Sequence, residues 1–267
     1  MFSKGHLIWI LISAIIIVVG YLACRHYKPS LKKLFTIGLI AGIISEIIKY
    51  FSVIKIVPMV EPTIVNNSIE WVKTGEYTPY LQAEHLPFEL CSLYLLFMLL
   101  AIILKNEKYK NYLYSLMYVS GIFGGVLGIV LSSIAGDFHS TIEYFTSFRV
   151  YQFFLYHSMV VFLSLYLGRS EESGLEFKDW KKAILGLLCL DIPTFYFNSV
   201  LSSEVYVNNE VIGVTHRINF FSSYVEPIVL ITEKWQWIVY LLIRAILTIL
   251  IVIGLFALLK KNKKNYS

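Results

Sequence analysis

Leu7-Ile-Trp-Ile-Leu-Ile-Ser-Ala-Ile-Ile-Ile-Val-Val-Gly-Tyr-Leu-Ala23, followed by Cys24-Arg25-His26-Tyr27-Lys28 and then by Lys32-Lys33, is the stretch that decides the architecture. Seventeen residues pass without a charge, long enough to cross the ~30 Å hydrocarbon core of a bilayer as a helix. Lys4 alone precedes the run, whereas Arg25, Lys28, Lys32 and Lys33 follow it. That asymmetry marks a retained span whose far end faces the cytoplasm, not a cleaved leader.

The pattern recurs along the whole chain. Apolar segments bounded by charge, proline or asparagine fall at 7–23, 34–54, 86–104, 112–134, 150–167, 183–200 and 237–259, which predicts about seven membrane spans. Of the 267 residues 57% are hydrophobic and only 15% are charged, against about 25% in a soluble domain. A soluble enzyme, a disordered chain and a nucleic-acid binder are thereby excluded. The expectation is all-α: a single helical membrane domain over residues 1–267. Three cysteines form no disulfide framework, so each is read singly.

The net charge of +5 is an orientation signal. Arg25, Lys28, Lys32 and Lys33, then Lys105, Lys108 and Lys110, then Arg169, Lys178, Lys181 and Lys182, and finally Lys260, Lys261, Lys263 and Lys264 fall in alternate connections. The other connections hold only Lys4, Lys55, Lys73, Arg149, Arg217 and Lys234. By the positive-inside rule the N-terminus is expected outside and the C-terminus inside. Two long connections, 55–85 and 201–236, then share the outer face. The first, with Trp71, Tyr77 and Tyr80 among acids and prolines, reads as a segment at the lipid headgroups. The second contains two β-prone runs around Asn208-Asn209-Glu210 and predicts a small hairpin. In the fourth span Gly121, Gly124, Gly125 and Gly128 form overlapping small-xxx-small pairs, read as helix packing.

An ionisable side chain in hydrocarbon costs about 2.5–3.5 kcal/mol on insertion scales, so each needs a partner or a task. The spans hold Glu46 and Lys49, Glu89 and Cys91, His157, Asp191 and Asn198, and Arg244. At ~1.5 Å per residue, Glu46, Cys91, His157, Asp191 and Arg244 lie roughly 8–14 Å below the outer ends of their spans. One shared layer describes a polar chamber beneath the long outer loops. Glu46 and Lys49, at i,i+3, can neutralise each other, and His85 and Glu89 form a second local pair. Asp191, Thr194 and Asn198 share a stripe beside Pro193, either solvating a kink or lining a cavity. Arg244 must seek Asp191, Glu46 or Glu89 across the bundle, or a phosphate or carboxylate head group. Cys91 reads either as a small apolar filler or as a nucleophile whose proton His157 accepts. Cys24 and Cys189 read as structural. No HExxH, P-loop, GxSxG or dinucleotide fingerprint occurs.

Leu86-Pro-Phe-Glu-Leu-Cys-Ser-Leu93, Arg149-Val-Tyr-Gln-Phe-Phe-Leu-Tyr-His157, and Asn219-Phe-Phe with Glu226-Pro227 before Trp235-Gln-Trp237 resemble the YwaF-like integral membrane proteins of bacteria. These are related to the animal transmembrane-protein-164 acyltransferases. The resemblance covers the chain from about the second span onward. It implies a multi-span enzyme of a bacterial cell membrane that moves a fatty acyl group between lipids through a cysteine acyl-enzyme, with Cys91 as nucleophile and His157 as base. Bacterial members often carry histidine two residues before the cysteine, where this chain has Glu89.

The combined reading is a lipid acyltransferase or lipid-ester hydrolase with Cys91 and His157 catalytic. Glu46, Glu89, Asp191, Asn198 and Arg244 are supporting, Ser92, Tyr156 or Asn198 supplies an oxyanion donor, and no metal or organic cofactor is required. Its partners are membrane lipids, with no nucleic acid and no obligate protein. The rival is a small-solute transporter or substrate-binding membrane subunit, whose buried charges would form a solute site. The topology makes a direct prediction: single cysteines in 55–85 and 201–236 react with a membrane-impermeant maleimide on intact cells, and one placed at 105–110 does not. Labelling of 105–110 alone would invert the orientation.

Overall fold

The computed structural model describes residues 3–65, 68–81, 85–86, 89–132, 134, 138, 140–207, 210–216 and 233–263. Helices α1 (Lys4–Tyr27) and α2 (Leu31–Val53) lead into a hairpin of β1 (Lys55–Val65) and β2 (Ser68–Tyr80). Then come α3 (Leu90–Ile103), α4 (Glu107–Val130), the short α5 (Thr141–Thr146), α6 (Phe148–Arg169) and α7 (Trp180–Val200). A second hairpin, β3 (Ser203–Val207) and β4 (Glu210–His216), precedes α8 (Lys234–Lys263). Among the described residues six helices are long and apolar enough to cross a membrane, and α3 is a shorter apolar helix. The protein is a helical membrane bundle.

Local sequence explains the helix ends. Ser3 and Ser30 cap α1 and α2, accepting the N–H groups of His6 and Lys33. Lys28 closes α1 in the left-handed region, φ 46°. α7 continues through Pro193 to Val200.

Two segments differ from the sequence expectation. The 55–85 connection, for which the sequence suggested no regular structure, is a hairpin: β1 and β2 pair antiparallel from Lys55 with Tyr80 to Val65 with Ser68, with a register irregularity between Pro58 and Val60. Pro58 and Pro62 hide this pattern in the sequence, yet both strands of a two-stranded ribbon are edges, where proline need not donate to a ladder. The third span also starts at Leu90, four residues later than its apolar run begins. The hairpin expected near Asn208-Asn209 is present, pairing Val207 with Glu210 and Val205 with Gly213.

The bundle is apolar outside and partly polar inside. Leu11, Val19 and Leu242 are 63%, 60% and 58% exposed, whereas Ser115, Ser120, Ser158 and Ser164 are fully buried. Lipid solvates the first set, and protein must satisfy the second. Ser164 gives its proton to the Met117 carbonyl at 3.1 Å, so the Tyr94 hydroxyl must be the donor to Ser164 at 2.7 Å. That chain ties α3, α6 and α4 together.

The α4–α6 contact is the centre of the fold. A Cβ on Gly125 would meet the His157 carbonyl at 3.2 Å and collide with Val161, and one on Gly121 would come 2.8 Å from Tyr94 and strike Ser164. α1 packs on α6 and reaches α4 and α5, with His6 Nε2 3.0 Å from the Ile129 carbonyl and Trp9 donating to the Tyr144 carbonyl at 2.9 Å. Gly125→Leu should therefore lower stability in detergent by about 1–3 kcal/mol through overpacking. Gly254→Ala on α8, with nothing within 4 Å of the new methyl, should be neutral or stabilising by up to about 1 kcal/mol. Thermal unfolding of the two purified variants distinguishes these signs.

Candidate active site

Glu46 and Cys91 reach one layer because α2 and α3 run in opposite directions. Leu95 packs over Gly42, where a Cβ would come within 3.4 Å of both Leu95 Cγ and Tyr156 Cε2. One helical turn toward the same end of the bundle takes α2 to Glu46 and α3 to Cys91. Glu46 and Lys49 are buried and form the expected i,i+3 ion pair. Their charges and that of Glu89 act on the Cys91 thiol, and Lys49 acts with Arg149 on His157. Glu46, Lys49, Glu89, Cys91, Arg149 and His157 thus belong to one electrostatic neighbourhood.

Cys91 sits in the first turn of α3. Glu89 is the N-cap residue without a side-chain capping bond, and its carbonyl accepts the first helical bond, from Leu93 at 2.9 Å. The N–H groups of Leu90, Cys91 and Ser92 precede that bond. A helix N-terminus favours negative charge beside it. The expectation that helix runs through Leu86 hides this placement, since a mid-helix cysteine would have no such donors.

His157 is held as one tautomer. A carbonyl can only accept, so Nδ1–H donates to Phe153 O at 2.7 Å and the lone pair is on Nε2. The ring packs against Phe153, with centroids 4.2 Å apart. On its other edge lies Gly128, where a Cβ would be 2.6 Å from Nε2. Sequence reasoning assigned Gly128 to packing alone; it also makes the space that the imidazole fills. Its signal was present in the glycine spacing, but the partner was not.

Tyr156 joins the two halves of the layer. Its hydroxyl donates to the Cys91 carbonyl at 2.7 Å, linking α6 to the start of α3. The Cys91 sulfur and the His157 imidazole are not themselves hydrogen-bonded to each other.

The remaining polar residues form a second cluster, and the single chamber expected from depth alone divides in two. Arg244 on α8 pairs with Asp191 on α7. Thr194 donates to the Asp191 carbonyl at 2.6 Å, and the carbonyl of fully buried Asn198 accepts from Ser202 at 2.6 Å. α7 packs on α4 and α8, so these residues share a depth with Cys91 without sharing a neighbourhood. Of the partners open to Arg244, the structure selects Asp191. Cys24 is buried on α1 and Cys189 is exposed on α7.

These features define a polytopic helical membrane protein with a half-buried cysteine and a buried histidine on neighbouring helices of its bundle. The chain belongs to the TMEM164 family, whose sequence pattern matches residues 1–260. No curated protein and no solved structure matches it. Asn219-Phe-Phe and Glu226-Pro227, which contribute to the resemblance noted in the sequence, lie outside the described residues.

The Asp191–Arg244 pair yields a prediction. Arg244→Ala leaves a carboxylate in the bundle and should cost about 2–3 kcal/mol. The double variant Asp191→Ala/Arg244→Ala should recover most of that loss. Purified yield and melting temperature in detergent measure the coupling, and strictly additive losses would separate the two side chains.

Proposed function

We propose that the protein is an integral membrane lipid acyltransferase, or a lipid-ester hydrolase when water replaces the acceptor, working through a Cys91 thioester with His157 as base. The observation that carries this reading is the convergence of a first-turn cysteine on α3 with a single-tautomer histidine on α6, linked through Tyr156. Membership of the TMEM164 family supports a membrane setting. The distribution of basic residues supports the outer side of a bacterial plasma membrane as the working side, and the resemblance to YwaF-like proteins points to the same compartment.

His157 Nε2 accepts the Cys91 proton, and the sulfur attacks the ester carbonyl of a lipid. Closure of the separation between sulfur and imidazole accompanies substrate binding, since catalytic hydrogen bonds commonly tighten only in the complex. The oxyanion is stabilised by the N–H groups of the first turn of α3. The tetrahedral centre collapses by breaking the carbon–oxygen bond, and the imidazolium protonates the departing alcohol. In the second half Nε2 takes a proton from the acceptor hydroxyl, or from water, whose oxygen attacks the thioester carbonyl. The carbon–sulfur bond breaks and the thiol regains its proton from His157. Glu46 and Lys49 neutralise each other in the wall of the layer. Asp191 and Arg244 hold α7 to α8.

Incubation with a lipid ester should leave an acyl-sized mass increment on the protein that neutral hydroxylamine releases. Cys91→Ala should abolish the increment and the turnover together, while Cys24→Ala and Cys189→Ala retain both. His157→Ala should slow acylation by about 10²- to 10⁴-fold with the fold retained. An active Cys91→Ala protein would sink the mechanism.

A further inference from the structure

The β1–β2 ribbon leaves the bundle directly from the end of a membrane helix. α2 ends at Val53, Ile54 caps it, and β1 begins at Lys55. Phe51 and Ile54, 81% and 45% exposed, carry the lipid-facing surface of α2 up to the root of the ribbon. Beyond that root the strands pair with each other, and none of their described residues joins the buried clusters of the bundle. An isolated two-stranded hairpin is marginal at best in water. The ribbon therefore calls for a surface outside the bundle, and its two sides show of what kind.

Cross-strand partners share a side, and alternate residues of one strand return to it. Ile56, Val60 and Pro62 of β1 thus share a side with Tyr77, Lys73 and Trp71 of β2. Lys73 is the one charge among these six. The opposite side takes Glu61 with Val72 and Thr63 with Glu70. At the register irregularity one β1 residue, Met59, faces Thr74, Gly75 and Glu76, and Gly75 takes φ 90°. The extra residues are all in β2, so β1 keeps its alternation and the apolar side runs through both halves of the ribbon. Ile56, Val60 and Tyr77 are 65%, 46% and 68% exposed, so no part of the bundle covers that side.

We propose that the β1–β2 ribbon lies on the headgroup region of the leaflet at the C-terminal end of α2, with its Ile56–Val60–Tyr77 side turned into the bilayer. Tyrosine and tryptophan are the residues enriched at that depth, and a lysine among them keeps its stem in apolar surroundings while its ammonium stays at the phosphates. Glu61 and Glu70 fall on the other side, away from the phosphates. The surface is continuous with the lipid-facing side of α2, from which the ribbon grows without a linker. A second copy of the chain, added as a further strand, fits less well, because Pro58, Pro62 and Pro79 lack the N–H that strand addition uses. The inference does not depend on the acyl-transfer reading.

The test uses the full-length chain with Cys24, Cys91 and Cys189 replaced by alanine and a single cysteine placed at 56, 57, 72, 73, 77 or 78. Each variant carries a nitrobenzoxadiazole label and is reconstituted into phosphatidylcholine vesicles. Emission should shift to the blue at 56, 73 and 77 and keep its aqueous wavelength at 57, 72 and 78, the alternation of a strand. Lipid with a nitroxide near the head of its acyl chain should quench the first set, and iodide in the buffer should quench the second. Val60 and Val72, 46% and 47% exposed on opposite sides of the ribbon, supply a matched pair. Val60→Glu should abolish nitroxide quenching of the label at 77, and Val72→Glu should leave it, with equal melting temperatures. Iodide quenching of both sides would overturn the proposal and leave a free arm in water. Blue emission at 56, 73 and 77 without nitroxide quenching would overturn it in favour of a protein cover, such as a second copy of the chain. Equal loss of quenching in the two glutamate variants would overturn the assignment of sides.

Discussion

The close approach of α4 to α6 is the constraint on which the rest of the bundle depends. In lipid there is no hydrophobic gain from bringing two apolar helices together, so association rests on packing and hydrogen bonding. Glycines on α4 let α6 come close enough for Val161 and the His157 carbonyl to fill the space of missing side chains. Ser164 then reaches the Met117 carbonyl, and Tyr94 brings α3 onto the same seam. α1 and α2 pack on the other sides of α6. The helix that carries His157 is thus the most enclosed of the long ones.

The same seam shapes the chemistry. His157 is flanked by Gly128 on one edge and Phe153 on the other, with Nδ1 bound to a carbonyl of its own helix. Its orientation is a property of packing, set before any substrate arrives. Cys91 acquires its surroundings from a different feature, the late start of α3. A helix beginning at the bundle's surface would give that cysteine satisfied backbone neighbours. A helix beginning at Leu90 places it in the first turn, ahead of the first helical hydrogen bond.

Buried charge is handled pairwise. Glu46 with Lys49 and Asp191 with Arg244 each place opposite charges in contact, the first within one helix and the second between two. Neither residue of a pair can be lost without leaving its partner uncompensated in a poor solvent for charge. The pairs therefore specify which faces of α2, α7 and α8 turn inward.

The sequence by itself determined the solvent and the positions of the long apolar helices, because uncharged runs of bilayer length have one stable outcome and no tertiary partner is needed to read them. It also determined the Glu46–Lys49 pair and the Val205–Gly213 hairpin, whose partners lie within a few residues of each other. Depth was legible too, since rise per residue is fixed, and depth alone brought out Glu46, Cys91 and His157. Azimuth was not. Which way a helix face turns depends on the neighbour it meets, so the sequence merged into one layer two clusters that α4 keeps apart. The same limit hid the role of Gly128 and the meeting of Ser45 with Gln152, contacts between residues 29 and 107 positions apart. The β1–β2 ribbon escaped for a related reason: prolines that forbid a central strand are harmless in a strand with a free edge, and only the folded chain shows which edges are free.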